Sequence, residues 1–196
     1  MNKKRIAILL PFKDHFTNSK AGSASIWVKD FNKKSKYKNE ITIFGYTPDI
    51  TDLIDKKRYK NLQLGNLAFG SKNISYVKEF IKFYSKKKFE IIEIHNRPSY
   101  VHQIKDTDIK AKIVLIFHNN PLTLGGSKNI SERKDLLRSC DKLIFVSNWV
   151  KEKFFEGFEK KNHENCQVIY PSIDTVKKIQ KKQNIISFVG KLNRSK

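Results

Sequence analysis

The chain has few of the residues that build small cross-linked or metal-held folds. Its two cysteines, Cys140 and Cys166, lie far apart and form no C-x-x-C pair. This spacing excludes a zinc ribbon and a disulfide scaffold, and it is typical of proteins from a reducing compartment.

No apolar run approaches the ~18 to 20 residues of a membrane span. The run from Ile6 to Phe12 ends at Lys13 without a small-residue cleavage site, so a signal peptide is not expected. The sequence predicts a cytoplasmic protein.

Arginine is also scarce, although the chain is strongly basic. Of 196 residues, 40 are lysine or arginine and 19 are acidic, which gives a formal net charge of +21. Nucleic-acid-binding proteins rely on arginine for bidentate contacts and cluster their charge, whereas the lysines here are spread along the chain. We interpret the charge mainly as solvated surface, so no nucleic-acid partner is expected. Peripheral contact with anionic membrane lipid and, less strongly, nucleic-acid binding stay open as alternatives. The arginines are Arg5, Arg58, Arg97, Arg133, Arg138 and Arg194.

Apolar runs of strand length alternate with amphipathic stretches of helical period. This alternation predicts an α/β fold, a doubly wound and mostly parallel sheet with helices on both faces. The 14 phenylalanines and a hydrophobic content of 39% are enough for a packed core. The predicted strands are 6–11, 41–45, 89–94, 113–117, 143–146 and 168–170, with a short one near 62–64. The predicted helices are 24–34, 74–87, 99–105, 131–138 and 147–155.

Polar residues directly follow the predicted strands, where function collects in parallel sheets. Gly22 precedes the first helix, and without a side chain its backbone can approach a phosphate or a sugar closely. A histidine at a strand end can form a hydrogen bond with a ligand or balance the charge of one. The plainer alternatives are a turn at Gly22, structural histidines and a surface ion pair for Arg97. The residues after the fourth and fifth strands are His95, Asn96 and Arg97, and His118 and Asn119.

Other side chains are assigned structural roles. Ser131 is the predicted N-cap of the fourth helix, and Ser147 that of the fifth. Arg133 and Lys134 are assigned to solvated helix surface, with a place at the rim of a site as the alternative. Both tryptophans, Trp27 and Trp149, are assigned to the core.

The end of the sequence begins another structural unit. The apolar run 185–189 ends at Gly190, and Lys191, Arg194 and Lys196 follow. A buried strand that ends in a glycine turn with cations predicts the opening of a βα phosphate site, which a helix N-terminus would complete. We therefore expect the front part of a longer protein, with 185–189 as a poorly packed strand whose free edge favours aggregation.

Six strings, in order along nearly the whole chain, resemble motifs of glycosyltransferase family 4, retaining enzymes of GT-B fold. The resemblance implies a Rossmann-like acceptor-side domain over 1–174, a linker over 175–184, and the first strand of an incomplete donor-binding domain over 185–196. Without the rest of that domain, the fragment is expected to be inactive alone. The strings are K-A-G-S-A-S-I-W-V (20–28), I-I-E-I-H-N-R-P (91–98), L-I-F-H-N-N-P (115–121), C-D-K-L-I-F-V-S-N-W-V (140–150), V-I-Y-P-S-I-D (168–174) and F-V-G-K-L-N-R-S-K (188–196).

The resemblance also implies a reaction and a set of site residues. The protein would move a hexosyl group from a nucleotide-diphosphate sugar to a glycan or lipid-linked acceptor, and the missing C-terminal domain would be its partner. No metal and no cofactor are expected, because cations and helix ends would stabilise the leaving group. A non-catalytic binding or interaction domain of the same fold is the alternative. The implied residues are His118 as the catalytic contact to the donor sugar, Gly22, His95, Asn96, Arg97 and Asn119 as substrate-binding residues, and Lys191 and Lys196 at the donor diphosphate.

Overall fold

The computed structural model of the chain describes residues 4–64, 71–160 and 163–172. Within these residues one sheet has the order β3-β2-β1-β4-β5-β6-β7, and all neighbouring strands are parallel. This arrangement confirms the predicted doubly wound, Rossmann-like α/β fold. The strands are β1 (Ile6–Leu9), β2 (Ile41–Gly45), β3 (Tyr59–Asn61), β4 (Ile91–His95), β5 (Lys112–Phe117), β6 (Lys142–Phe145) and β7 (Cys166–Val168).

Helices cover both faces of the sheet, but unequally. The connection from β1 to β2 carries α1 (Ser23–Lys34), which packs on one face with Ile8 and Ile43. From β3 onward the strand order runs the other way, and right-handed crossovers therefore place the later helices on the opposite face. These later helices are α2 (Lys72–Lys86), α3 (Pro98–Lys105), α4 (Ile130–Ser139) and α5 (Asn148–Phe154), and a 3-10 turn spans Pro121–Thr123. In the part of the chain that the structure describes, no helix is long and apolar enough to cross a membrane.

Successive side chains of the central strands point to opposite faces of the sheet, and this alternation separates the core from the site. In β4, Ile92 and Ile94 are fully buried in the large core beneath the later helices. Glu93 and His95 therefore point to the face that α1 covers. In β5, Ile113, Leu115 and Phe117 belong to the same large core, so Ile116 lies on the α1 face as well. Two polar side chains of β4 thus lie on a largely apolar sheet face.

The two short edge strands lie elsewhere than predicted. Strand β3 pairs Tyr59 with Ile43, so it precedes the predicted 62–64. Strand β7 pairs Cys166 with Leu143, so it begins before the predicted 168–170. A three-residue edge strand buries too few side chains to show a period of two in the sequence. The predicted linker 175–184 and strand 185–196 lie outside the described residues.

The structural assignments of Ser131 and Trp149 from the sequence were wrong. The N-cap of α4 is Asn129 rather than Ser131, since the Asn129 side chain accepts from the amide of Glu132, 2.9 Å away, and Glu132 bonds back to Asn129. This reciprocal capping box needs a spacing of three residues, which Ser131 does not have with Glu132. Trp149 is 53% exposed, because the short helix α5 turns Val150 and Phe154 toward the core instead. Trp27 and the cap at Ser147 are as predicted.

Arg133 is not on the solvated helix surface where the sequence placed it. Its side chain is 2% exposed, and its guanidinium donates to the carbonyls of Ser127, Lys128 and Glu156 at 3.3, 3.0 and 2.6 Å. It also lies over the ring of Phe158, 5.6 Å from the centroid. Burial lowers the pKa of this guanidinium. Arg133 therefore joins the loop before α4 to the chain after α5.

We expect Arg133→Met to lower the free energy of unfolding by about 2 to 3 kcal/mol, because three partly buried carbonyls lose their charged donor. The measurement is urea unfolding followed by circular dichroism. Arg138→Met is the matched control on the same helix, since Arg138 is exposed and its ion pair with Asp135 lies at the surface. The control should change stability by less than about 0.5 kcal/mol. Equal effects of the two substitutions would contradict the assigned role.

Candidate functional site

Two histidines lie at the carboxyl ends of neighbouring strands. His95 is the last residue of β4, and His118 directly follows β5. The parallel register pairs His95 with Ile116, so residue 118 is on the same face and one step nearer the edge. Nδ1 of His95 lies 2.9 Å from Nε2 of His118, and the stacked rings have centroids 5.2 Å apart. The structure thus brings together two residues that the sequence assigned to this edge.

Glu93 extends this pair into a row of three side chains, which we call the Glu–His–His row. Its Oε1 lies 2.7 Å from Nε2 of His95. His95 is fully buried, and both of its ring nitrogens have partners, as buried polar groups require. The Glu93 side chain is 26% exposed, so the row runs from a solvent-accessible carboxylate through a buried imidazole to His118.

Helix α1 closes over the far end of the row. The Trp27 ring meets the His118 ring edge-on, at a centroid distance of 5.4 Å and an interplanar angle of 89°. Burial, and next the electrostatic effect of His95, lower the pKa of His118 to about 3. His118 is therefore a neutral imidazole near neutral pH, able to donate a hydrogen bond at one ring nitrogen and accept at the other.

Asn96 holds the backbone on which His118 stands. It is buried with φ of 53°, in the left-handed region that asparagine tolerates better than most residues. Its amide donates to the carbonyl of Ile116 at 2.7 Å, and its Oδ1 accepts from the amides of His118 and Asn119 at 3.3 and 3.2 Å. The turns after β4 and β5 are thereby tied together. The predicted contact of Asn96 with substrate stays a prediction.

Arg97 and Asn119 flank these turns. The Arg97 guanidinium donates to the carbonyl of Asn96 at 2.8 Å, and Pro98 begins α3 directly after it. Asn119 is exposed. Both residues therefore lie at the carboxyl edge beside the histidines, and their roles in substrate binding stay predictions.

Gly22 lies at the start of α1, but a carboxylate of the chain itself occupies that position. Asp14 accepts from the amide of Gly22 at 2.9 Å and from that of Ala24 at 3.2 Å. A Cβ at residue 22 would lie 2.8 Å from both carboxylate oxygens, so the absent side chain makes room for Asp14. Asp14 thus takes up two amides at the start of α1, the position to which the sequence assigned a phosphate or a sugar.

The loop 119–129 after His118 is held by many contacts. Asn120 caps the 3-10 turn, and the hydroxyl of Ser127 donates to the carbonyl of Pro121 at 2.6 Å. Gly126 has φ of 89°, and a Cβ there would lie 2.7 Å from the amide nitrogen of Ser99. Only glycine fits this turn without strain. The loop is therefore packed against the start of α3. The ordinary residue preferences of turns are enough to explain its asparagines and glycines.

A cavity of about 540 Å³ opens on the sheet face that α1 partly covers. Glu93 belongs to its wall, together with Trp27 of α1 and with Ile116, Ile144 and Ile169 of the strands and their ends. The wall is mostly apolar. The Glu–His–His row contributes to it through the Glu93 side chain.

Sequence reasoning did not find Glu93, Asp14 or a possible metal motif. Glu93 stands in an apolar strand two residues before a histidine, and this i, i+2 spacing was the signal that could have identified Glu93.

The string Asp106-Thr107-Asp108 places two carboxylates close together, but it follows α3 at the amino edge of the sheet, opposite the histidines. Among the described residues, no group of three metal-ligating side chains could hold a metal ion. Lys191 and Lys196, predicted at the donor diphosphate, lie outside them.

No protein-family model matches the chain, and no curated protein matches it either. Solved structures match its fold. Anabaena HepE in complex with UDP-glucose has a TM-score of 0.59 at 14% identity, over 86% of this chain and 44% of HepE. HepE in complex with UDP has a TM-score of 0.56 at 16% identity, over 87% and 44%. UDP-N-acetylglucosamine 2-epimerase from Rickettsia bellii has a TM-score of 0.53 at 12% identity, over 85% and 44%. The chain thus spans less than half the length of these structures and shares their fold.

We expect Gly22→Ala to destabilise the protein by about 1 to 2 kcal/mol, because the new methyl group displaces Asp14 from the start of α1. In an Asp14→Ala background the same change should cost much less, since the clash is gone. Urea unfolding of the single and double variants measures the loss of stability that Gly22→Ala causes with Asp14 and without it. Gly125→Ala is the control, because a Cβ there meets nothing within 4 Å. Additive effects of the Gly22 and Asp14 substitutions would show that the two residues do not act together.

The lowered pKa of His118 predicts a pH dependence of stability. Its folded pKa of about 3 lies below the ordinary value of 6.5, so the unfolded chain binds the extra proton between these values. Stability should therefore fall as the pH drops from about 6.5 toward 3, by about 1 kcal/mol per pH unit from this residue. His118→Gln should reduce the slope of unfolding free energy against pH between about pH 5 and pH 6.5. An unchanged slope would argue against a neutral, partly buried His118.

Proposed function

We propose that this chain is the acceptor-side half of a glycosyltransferase of GT-B fold, related to glycosyltransferase family 4. The proposed enzyme transfers a hexosyl group, with retention, from a nucleotide-diphosphate sugar to a glycan or lipid-linked acceptor. The observation that carries the proposal is the placement of His118, a neutral imidazole held at the carboxyl edge of a Rossmann-like sheet. The fold shared with UDP-glucose-bound HepE supports a UDP-sugar as the donor class.

Each residue of the edge has a proposed part in this reaction. His118 forms a hydrogen bond with a hydroxyl of the donor sugar and fixes the sugar's orientation. Asn96 holds the backbone of His118 in place, while Arg97 and the exposed Asn119 face the acceptor side. Precise positioning of this kind supplies much of the rate when no covalent chemistry is asked of the protein.

The proposed chemistry balances without a metal or a cofactor. An oxygen of the acceptor hydroxyl forms a bond to the anomeric carbon, while the bond from that carbon to the diphosphate oxygen breaks. The hydroxyl proton passes to the departing diphosphate, and the nucleoside diphosphate leaves. Lysines 191 and 196 are the proposed partners of that diphosphate. Since the donor half completes the cleft, we expect little transferase activity from this chain alone.

We expect UDP-glucose to shift the amide resonances of His118 and Asn119 in the ¹H–¹⁵N spectrum of the chain. UDP, which lacks the sugar, should shift them far less. His118→Gln should weaken UDP-glucose binding about fivefold to tenfold, the value of one hydrogen bond, and leave UDP binding unchanged. UDP-N-acetylglucosamine is tested in the same way, as the alternative nucleotide sugar to UDP-glucose. Shifts confined to residues away from the carboxyl edge, or equal shifts with UDP, would overturn the proposed donor-sugar contact.

A further inference from the structure

The Glu–His–His row has a directional hydrogen-bond pattern. Two short contacts join its members, 2.7 Å from Glu93 Oε1 to His95 Nε2 and 2.9 Å from His95 Nδ1 to His118 Nε2. Each contact needs one proton between its two atoms. An ionised carboxylate can only accept, so the first proton belongs to Nε2 of His95.

The position of the first proton, on Nε2 of His95, determines the position of the proton between the two histidine rings. Above the ordinary histidine pKa of about 6.5 an imidazole carries one N–H, so a proton on Nε2 of His95 leaves a lone pair at its Nδ1. Nε2 of His118 must then carry the proton that lies between the rings. His118 is neutral, so its Nδ1 is left with a lone pair. Among the described residues, the ring of His118 has a hydrogen bond at Nε2 and none at Nδ1.

We propose that Glu93 is a positioning residue that acts through His95 to hold His118 in its Nε2–H tautomer, so that Nδ1 of His118 presents a hydrogen-bond acceptor at the carboxyl edge. The ring cannot easily escape this state, because Asn96 fixes the backbone of His118 and Trp27 packs against the ring. The lowered pKa of His118 is consistent with one proton on that ring.

The fixed tautomer selects the chemistry of the ligand atom. An acceptor nitrogen binds a group that carries a proton, such as a sugar hydroxyl, and offers nothing to a phosphate or carboxylate oxygen, which also only accepts. His118 would thus recognise a hydroxyl group and would not bind the diphosphate. This assignment of the ligand rests on the proposed function, whereas the tautomer itself does not.

The tautomer is measurable without any ligand. In a long-range ¹H–¹⁵N correlation spectrum, a protonated ring nitrogen and a bare one have widely separated ¹⁵N shifts. The spectrum is recorded on the ¹⁵N-labelled 196-residue chain at about pH 8, above the ordinary histidine pKa of about 6.5. The His118 signals are assigned by their loss in His118→Gln. In the wild-type chain we expect the Nε2–H form to exceed the Nδ1–H form about tenfold or more, as one hydrogen bond allows.

Substitutions of Glu93 test its part in this preference. Glu93→Met keeps the side-chain volume but removes the acceptor, so the preference should fall to about threefold or less. Glu93→Gln can accept or donate, and its ratio should lie between those of wild type and Glu93→Met. Glu90→Gln is the matched control, since Glu90 precedes the same strand and bonds to Arg5, away from the histidines. It should leave the His118 ratio unchanged.

Two outcomes would overturn the proposal. One is a predominant Nδ1–H form of His118 in the wild-type chain, which would mean that His95 donates to His118. The other is an unchanged tautomer ratio in a folded Glu93→Met protein. Circular dichroism establishes that each variant is folded, and Glu93→Leu replaces Glu93→Met if that protein does not fold. Because no nucleotide sugar is present, a failed tautomer prediction is distinguishable from a failure of UDP-glucose to bind.

Discussion

The pairing of β4 with β5 is the constraint on which the arrangement of the site depends. Its parallel register sets His95 opposite Ile116, and residue 118 therefore follows on the same face, one step beyond the end of the strand. A slip of one residue would turn one of the histidines to the opposite face. The register is fixed by the apolar side chains on the other face, since Ile94, Leu115 and Phe117 are fully buried in the large core. Packing of the core and placement of the histidines are thus set by one interaction.

A buried polar row in such a sheet is stable only because both ring nitrogens of His95, its fully buried member, have partners. An imidazole as deeply buried as His95 would be unfavourable without partners, and Glu93 and His118 supply one on each side. Asn96 adds a backbone restraint, because its left-handed conformation turns the chain so that Oδ1 reaches the amides of His118 and Asn119. The positions of the two rings are therefore determined by the backbone as well as by their own contact.

The sequence was sufficient for the sheet because long apolar runs such as Ile113 to Phe117 have one stable place, buried on both faces of a parallel sheet. It also predicted that His95 and His118 share an edge, since both follow such runs. It did not identify Glu93, for which the spacing to His95 was the one signal, or Asp14, whose partners depend on how its side chain is oriented once the chain has folded. The burial of Arg133 was missed for a related reason. Its acceptors are carbonyls of the loop before α4 and of Glu156, 23 residues further along the chain, and no local pattern predicts that these carbonyls converge on one side chain.

The charges around the edge limit what this half of the proposed enzyme can bind. A helix N-terminus attracts anions, but at α1 the carboxylate of Asp14 already takes up the amides of Gly22 and Ala24. His118 is neutral, so it brings no positive charge either. A diphosphate needs cations or free amides to offset its charge, whereas sugar hydroxyls need only matched donors and acceptors. In the proposed reaction His118 and the start of α1 therefore suit the neutral part of the substrate, and the charge of the leaving group must be balanced by cations elsewhere, of which Arg97 lies at the same edge.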